Sequence, residues 1–258
     1  KKIGHTGTLD PDAEGVLPVC LGMATRLVES LTKGTKTYEA VLLLGVTTDT
    51  QDTSGKVLTE QDVTVGEEEV KAAVLSFAGE QEQIPPMYSA LKVDGQKLYD
   101  LARQGITVER KARPITVASI GCEKQDERTY TLDVRCSKGT YIRTLCKDIG
   151  EALGCGGCME ALRRTAAGEY TQEESVPLQT LLDTENPEQY LRPVDSMFRN
   201  FPAVTLSSKQ ETRCRHGNSF SHTADPGTYR CYSQSGEFLM LAKVEDGVMS
   251  TIKSFWEV

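Results

Sequence analysis

The chain is 258 residues long, sets 29 Lys and Arg against 37 Asp and Glu, and has a formal net charge of −8 with its His neutral. Its 38% hydrophobic and 26% charged residues are those of an ordinary globular protein, large enough for one or two cores. No apolar run approaches the ~20 residues of a membrane-crossing helix, and the opening residues lack a signal-peptide pattern, so a cytoplasmic protein without a membrane partner is expected.

Residues 4–18, GHTGTLDPDAEGVLP, gather His5, Asp10, Asp12 and Glu14 among three glycines and two prolines. Gly and Pro at this density forbid a regular helix and impose particular backbone angles, and Pro11 disfavours helical angles at Asp10. Three readings fit the loop. It is a solvated turn, a calcium loop, or a rigid support for a catalytic carboxylate. The calcium reading fails on its closing position, where Leu21 stands in place of a bidentate Glu, and on Pro18.

Further along, residues 24–33 carry apolar side chains at helical spacing. Residues 38–46, YEAVLLLGV, form a nearly unbroken apolar run, which predicts a strand buried on both faces. Residues 47–55 are turn-rich. Residues 67–77 open with three glutamates and place Val70, Val74 and Phe77 on one helical face. Residues 84–88 are irregular, and residues 96–103 predict a short helix stopped by Gly105. Residues 114–122 and 129–136 predict paired antiparallel strands, the second with Tyr130, Leu132, Val134 and Cys136 on one side. Tyr141, Leu145, Ile149 and Leu153 recur as a helix stripe, which puts Arg143 near a strand-to-helix junction. Residues 183–193 predict a linker, and the turn spacing over residues 201–258 predicts a small β-barrel.

The eight cysteines are scattered and predict reduced thiols. Cys155 and Cys158 form a lone C-x-x-C without a second ligand pair, so no metal is expected. The acidic balance argues against nucleic acid, but charge is segregated by segment. Residues 84–116 hold six basic side chains (Lys92, Lys97, Arg103, Arg110, Lys111, Arg113) against three acids, whereas residues 51–83 are strongly acidic. A basic segment fits a phosphate backbone, and it equally fits an ordinary solvated face.

GHTGTLDPDAEGVLP is followed in order by KTYEAVLLLG (36–45), TDTQDTSG (48–55), IPPMYSALKVDGQKLYDLARQG (84–105), RPITV (113–117), CSKGTYIRTL (136–145) and ALRRTAAG (161–168). This series resembles the bacterial tRNA pseudouridine-55 synthases of the TruB type. The likeness runs to about Tyr170 and is weaker beyond. It implies an α+β chain with a pseudouridine-synthase fold, a mixed, largely antiparallel sheet flanked by helices, and a small C-terminal PUA-like β domain. Residues 1–185 would be the catalytic domain, residues 84–116 an RNA-gripping insertion, and residues 195–258 the RNA-binding domain. The family's preceding strand and Lys-Pro-x-Gly loop have no counterpart here, so N-terminal residues are expected to be missing.

The resemblance also implies an isomerase that flips a uridine out of the tRNA T stem-loop and remakes its N–C bond as C–C. Asp10 is the implied catalytic carboxylate, acting at uracil C6 or ribose C1′. Arg143 is its implied partner. Tyr38 would stack on the base and handle its proton. His5, Tyr141 and Leu162 would line the nucleotide site. No cofactor, metal or obligatory protein partner is implied, and a monomer is expected. Two other classes fit parts of the pattern: an RNA-binding chaperone gripping the T arm without chemistry, and a hydrolase using Asp10 and Asp12.

Overall fold

The computed structural model describes residues 2–256. The chain forms two compact units. The larger takes Thr6–Pro18 and Glu29–Ser175, and the other takes the chain up to His5, Val19–Val28 and the segment from Val176 onward.

In the larger unit the elements are β1 (Lys36–Leu44), α1 (Glu67–Ser76), β2 (Gly79–Gln83), α2 (Leu98–Arg103), β3 (Arg113–Lys124), β4 (Thr129–Cys136), α3 (Ile142–Ala152), β5 (Gly157–Ala167) and β6 (Tyr170–Thr171). The strands form one sheet in the order β6-β5-β1-β4-β3-β2, antiparallel throughout, and the pair Glu14–Gly15 adds a short parallel strand beside β5. Long strands of alternating polarity explain the sheet. On β4, Tyr130, Leu132, Val134 and Cys136 are buried while Asp133 and Arg135 are exposed. Helices α1 and α3 cover that face through Val70, Val74, Leu145 and Ile149, which join Ala40, Leu42 and Leu44 in one core. Each fully buried Leu or Ile contributes roughly 1.5–3 kcal/mol. Helix α1 starts where the glutamates predict, because Glu69 Oε2 accepts the Gly66 N–H at 2.8 Å.

Several expectations are corrected. Strand β1 is not buried on both faces. Lys36, Ala40, Leu42 and Leu44 are buried, whereas Val41 and Leu43 are only half-buried, because the helices cover one side of the sheet. Residues 24–33 begin as a 3-10 helix over Gly22–Leu27, and only Val28–Thr32 is α-helical. Residues 47–55 contain the end of a short strand, Val46–Thr48, that pairs with Val57–Glu60. Within residues 96–103 the first two positions are strand. Lys92–Val93 and Gln96–Lys97 make a hairpin whose turn, Asp94-Gly95, has φ +51 and +84. That dipeptide is the strongest short hairpin signal in a sequence.

In the other unit, Ile3–His5 pairs with Val19–Leu21. Five strands, β7 (Ala203–Thr205), β8 (Phe220–Ser221), β9 (Gly227–Tyr232), β10 (Phe238–Glu245) and β11 (Val248–Ser254), form a sheet in the order β7-β9-β10-β11-β8. That order has two ends, so the sheet is open where a barrel was expected. A helix at Ser208–Arg215 was not anticipated, although Ser207 and Gln210 cap it reciprocally. The predicted linker at residues 183–193 holds a 3-10 turn at Pro187–Tyr190.

Seven of the eight cysteines are buried and Cys122 is half-buried. Burial pushes Cys136, Cys158 and Cys214 up to about 11 and Cys231 up to about 12, from an ordinary 9.0. Their folded values lie above their unfolded ones, so their contribution is complete below about pH 9 and is lost as pH rises towards 11–12. The urea midpoint should therefore hold steady from neutrality to about pH 8.5 and fall beyond it. A maleimide should modify Cys122 first in the native protein and reach the other seven only on unfolding. Uniform labelling of all thiols at neutral pH would contradict this core.

Candidate active site

The loop holding Asp10 is shaped by its contact with β5. Gly15 has φ +109, and a Cβ there would collide with the Arg164 carbonyl, so only Gly fits. The Val16 N–H donates to the Arg164 carbonyl at 2.8 Å. Arg164 is itself 1% exposed, and its guanidinium donates to the Val16 carbonyl at 2.7 Å and to the Gly7 carbonyl at 3.1 Å. Both flanks of Asp10 are thus tied to one strand.

Arg143 occupies the first turn of α3, at the expected strand-to-helix junction, and is buried. Its Nη2 donates to Asp10 Oδ1 at 3.0 Å and to the Tyr88 carbonyl at 2.8 Å. Nε stands 2.8 Å from Asp10 Oδ2 as an ion contact rather than an aligned hydrogen bond. Nη1 donates to the Thr50 carbonyl at 3.1 Å and lies 3.6 Å from Asp52 Oδ2. Asp10 keeps 36% of its side chain exposed against 6% for Arg143, so the carboxylate has one open side and one side held by a buried cation.

Asp52 went unread in the sequence. Its Oδ1 accepts from the Thr50 and Ser54 hydroxyls, both at 2.6 Å, which leaves Oδ2 turned to Arg143. The signal for it lay in TDTQDTSG, where Thr and Ser flank an Asp in a turn-forming run. Next to it Gln51 adopts φ +67, rare for a side chain other than Gly, and Thr144 of α3 donates to its Oε1 at 2.8 Å.

Tyr38 lies on β1 directly across from Arg164 and is half-buried. Burial raises its phenol above the ordinary tyrosine value. Arg164 opposes that by charge and hydrogen bond, while Cys136 and Asp10 add to it. Tyr141 immediately precedes α3, and the Gln83 side-chain amide holds its backbone on both sides, at 2.8 and 3.0 Å. Burial raises its phenol too, opposed by Ser89, Arg113 and Arg143. Leu162 sits on β5 opposite Ala40 and packs half-buried on the core. The larger unit thus assembles Asp10 and Arg143 in contact, with Tyr38, Tyr141 and Leu162 on the elements around them. His5 belongs to the other unit, exposed and opposite Val19. Asp12 is exposed. Among the described residues no group of three His, Cys, Asp or Glu side chains is placed to hold a metal ion.

A carboxylate fixed by a buried guanidinium, with two phenols and a leucine nearby, suits a neutral planar heterocycle more than a second anion. Comparison with known proteins agrees. Residues 1–142 match the TruB family pseudouridylate synthase N-terminal domain, and residues 143–199 match the tRNA pseudouridylate synthase B C-terminal domain. The tRNA pseudouridine synthase B of Alkaliphilus oremlandii is 47% identical over 218 residues, covering 84% of this chain and 73% of the relative. That of Clostridium kluyveri is 41% identical over 261 residues, covering 99% of this chain and 90% of the relative. Among solved structures, a Cbf5-Nop10-Gar1 complex contains a chain that superposes with a TM-score of 0.69 at 26% identity, over 99% of this chain and 77% of that one. A second, an H/ACA RNP bound to a substrate RNA containing 2′-deoxyuridine, has the same TM-score at 24% identity and shares the fold. With the signature loop, its buried arginine and end-to-end relatives in agreement, the chain belongs to the TruB family of pseudouridylate synthases.

Proposed function

We propose that this chain isomerises a uridine of the tRNA T-loop to pseudouridine, as a cytoplasmic enzyme needing no cofactor and no obligatory protein partner. The observation that carries this reading is the Asp10–Arg143 pair, at 2.8 and 3.0 Å, with one carboxylate face left open. The target uridine is held in tertiary structure and must leave its stack, at an expense of a few kcal/mol that contacts in the pocket offset. Tyr38, on the core side of β1, takes the face of the turned-out base. Tyr141 and Leu162 line its edge. Asp10 assists cleavage of the glycosidic bond, and Arg143 holds it aimed through contacts at 2.8 and 3.0 Å. The freed uracil turns, C5 bonds to C1′, and the proton on C5 leaves to Tyr38.

Residues 84–116 supply the grip on the phosphates. Lys92, Lys97 and Arg103 line one open cleft there, with Lys97 and Arg103 over the Tyr99 ring at 5.1 and 5.4 Å. Arg110 has another task, donating to the Pro85 carbonyl at 3.1 Å. The C-terminal five-stranded unit acts as the PUA-like RNA-binding domain. A chaperone without chemistry has no use for a carboxylate facing a polyanion, so the enzyme is the better reading.

The direct test incubates the protein with an unmodified tRNA transcript and maps pseudouridine. Conversion at the T-loop uridine is expected, and binding without conversion would favour the chaperone. Asp10→Asn should lower turnover by at least about 10³-fold while tRNA affinity stays within about tenfold, because the carboxylate acts on the transition state. Parallel loss of affinity and turnover would make Asp10 structural. Replacing Lys92, Lys97 and Arg103 with Gln should weaken binding and flatten the salt dependence by about 0.7–0.9 in log–log slope per lost phosphate contact. An unchanged slope would move the grip elsewhere.

A further inference from the structure

Arg164 is among the largest of the described side chains with under 2% of their surface exposed, and the resemblance to known synthases gave it no part. A tie between a strand and a loop needs only neutral donors, and Gln83 provides such a tie to the Tyr141 backbone. Arg164 instead brings a permanent charge into the interior, where desolvation opposes it. Two features explain its placement. Its planar fork reaches the carbonyls of Gly7 at 3.1 Å and Val16 at 2.7 Å, and these bracket Asp10 in the chain. Its strand position is directly opposite Tyr38, which places the two side chains side by side on one face of the sheet.

We propose that Arg164 is a positioning residue for the isomerisation, fixing both flanks of the Asp10 loop and setting its charge against the Tyr38 oxygen that receives the C5 proton. The proposal rests on the roles given above to Asp10 and Tyr38. Once C1′ is bonded to C5, the C5–H electron pair returns to the ring and the proton passes to the Tyr38 oxygen, then to solvent. N1 of the turned ring takes a proton from solvent, so the sum is an isomerisation. Tyr38 must carry negative charge to accept that proton. Around it stand Asp10 from the loop, the neutral Cys136 thiol of β4 and the Arg164 guanidinium of β5, and of these only Arg164 favours the anion. Lys36, the next buried cation on β1, turns its ammonium to the Thr32 and Gly34 carbonyls.

Two variants separate the charge from the fork. Arg164→Gln removes the charge and keeps a donor, whereas Arg164→Lys keeps the charge and cannot span both carbonyls. Tyr38 is titrated by the difference in phenolate absorbance between each protein and its Tyr38→Phe counterpart, which needs no turnover. Single-turnover rates at saturating tRNA are measured across pH alongside affinity. Arg164→Gln should move the Tyr38 titration up by about one pH unit, shift the rising limb of the rate profile with it and slow the rate about 100-fold, with affinity within about threefold. Arg164→Lys should leave the titration near that of the parent and slow the rate about tenfold. Variants that lose stability alone, with an unmoved titration and a normal rate per folded molecule, would overturn the proposal. Should Arg164→Gln fail to fold, Arg164→Lys decides, and a parental rate in that variant overturns it. Because the titration needs no turnover, an inactive parent would sink the proposed function without deciding the link between Arg164 and Tyr38.

Discussion

A buried guanidinium must find acceptors for its donors, and Arg143 finds them on three separate stretches of chain. Asp10 comes from the signature loop, the Thr50 carbonyl and Asp52 from the turn after β1, and the Tyr88 carbonyl from the root of the basic insertion. Removing one partner from such a set leaves an uncompensated charge, typically about 3–5 kcal/mol worse when fully buried and less here, where Asp10 is open to water. The candidate site is therefore also a knot of the fold. Helix α3 and the antiparallel sheet hold the knot. The sheet's core face lies under the helix, and Gln83 ties the edge strand β2 to the backbone that leads into it.

This explains which parts of the molecule were legible in the sequence. Elements with a strong period were, such as β4 with its alternating apolar face and α3 with its stripe every fourth residue. Asp10 stood out because Gly and Pro crowd around it, and Arg143 because it opens a helix after a turn. Their contact is not written locally, since 133 positions separate them. Asp52 and Arg164 were missed for the opposite reason. One looks like any turn acid and the other like half of an exposed Arg pair, and only the pairing of β5 with β1 and with Glu14–Gly15 reveals that Arg164 points inward while Arg163 does not. The apolar run in β1 misled because hydrophobicity reports how much burial a strand tolerates, not how much its neighbours provide. The Asp94-Gly95 hairpin and the Ser207–Gln210 cap were written plainly and went unread.

Charge is likewise used locally rather than as a global field. Glu67 and Glu68 pair with Lys71 at 2.7 and 3.5 Å, and Glu69 closes the start of α1, so much of that acidic run serves one helix. A net charge of −8 consequently says little about the surface that meets a polyanion.

The short parallel pairing of Glu14–Gly15 with Arg163 and Arg164 has a consequence in time. The loop leaves the ribosome well before the strand it docks on, which is made about 148 residues later, the separation between Val16 and Arg164. Until β5 arrives and aligns with β1, neither carbonyl of the loop has its donor and Asp10 has no fixed direction. Contacts this distant in sequence form late and slowly. A nascent chain thus carries the Asp10 loop unfixed until β5 is made, and a fragment that ends anywhere before β5 cannot assemble this site.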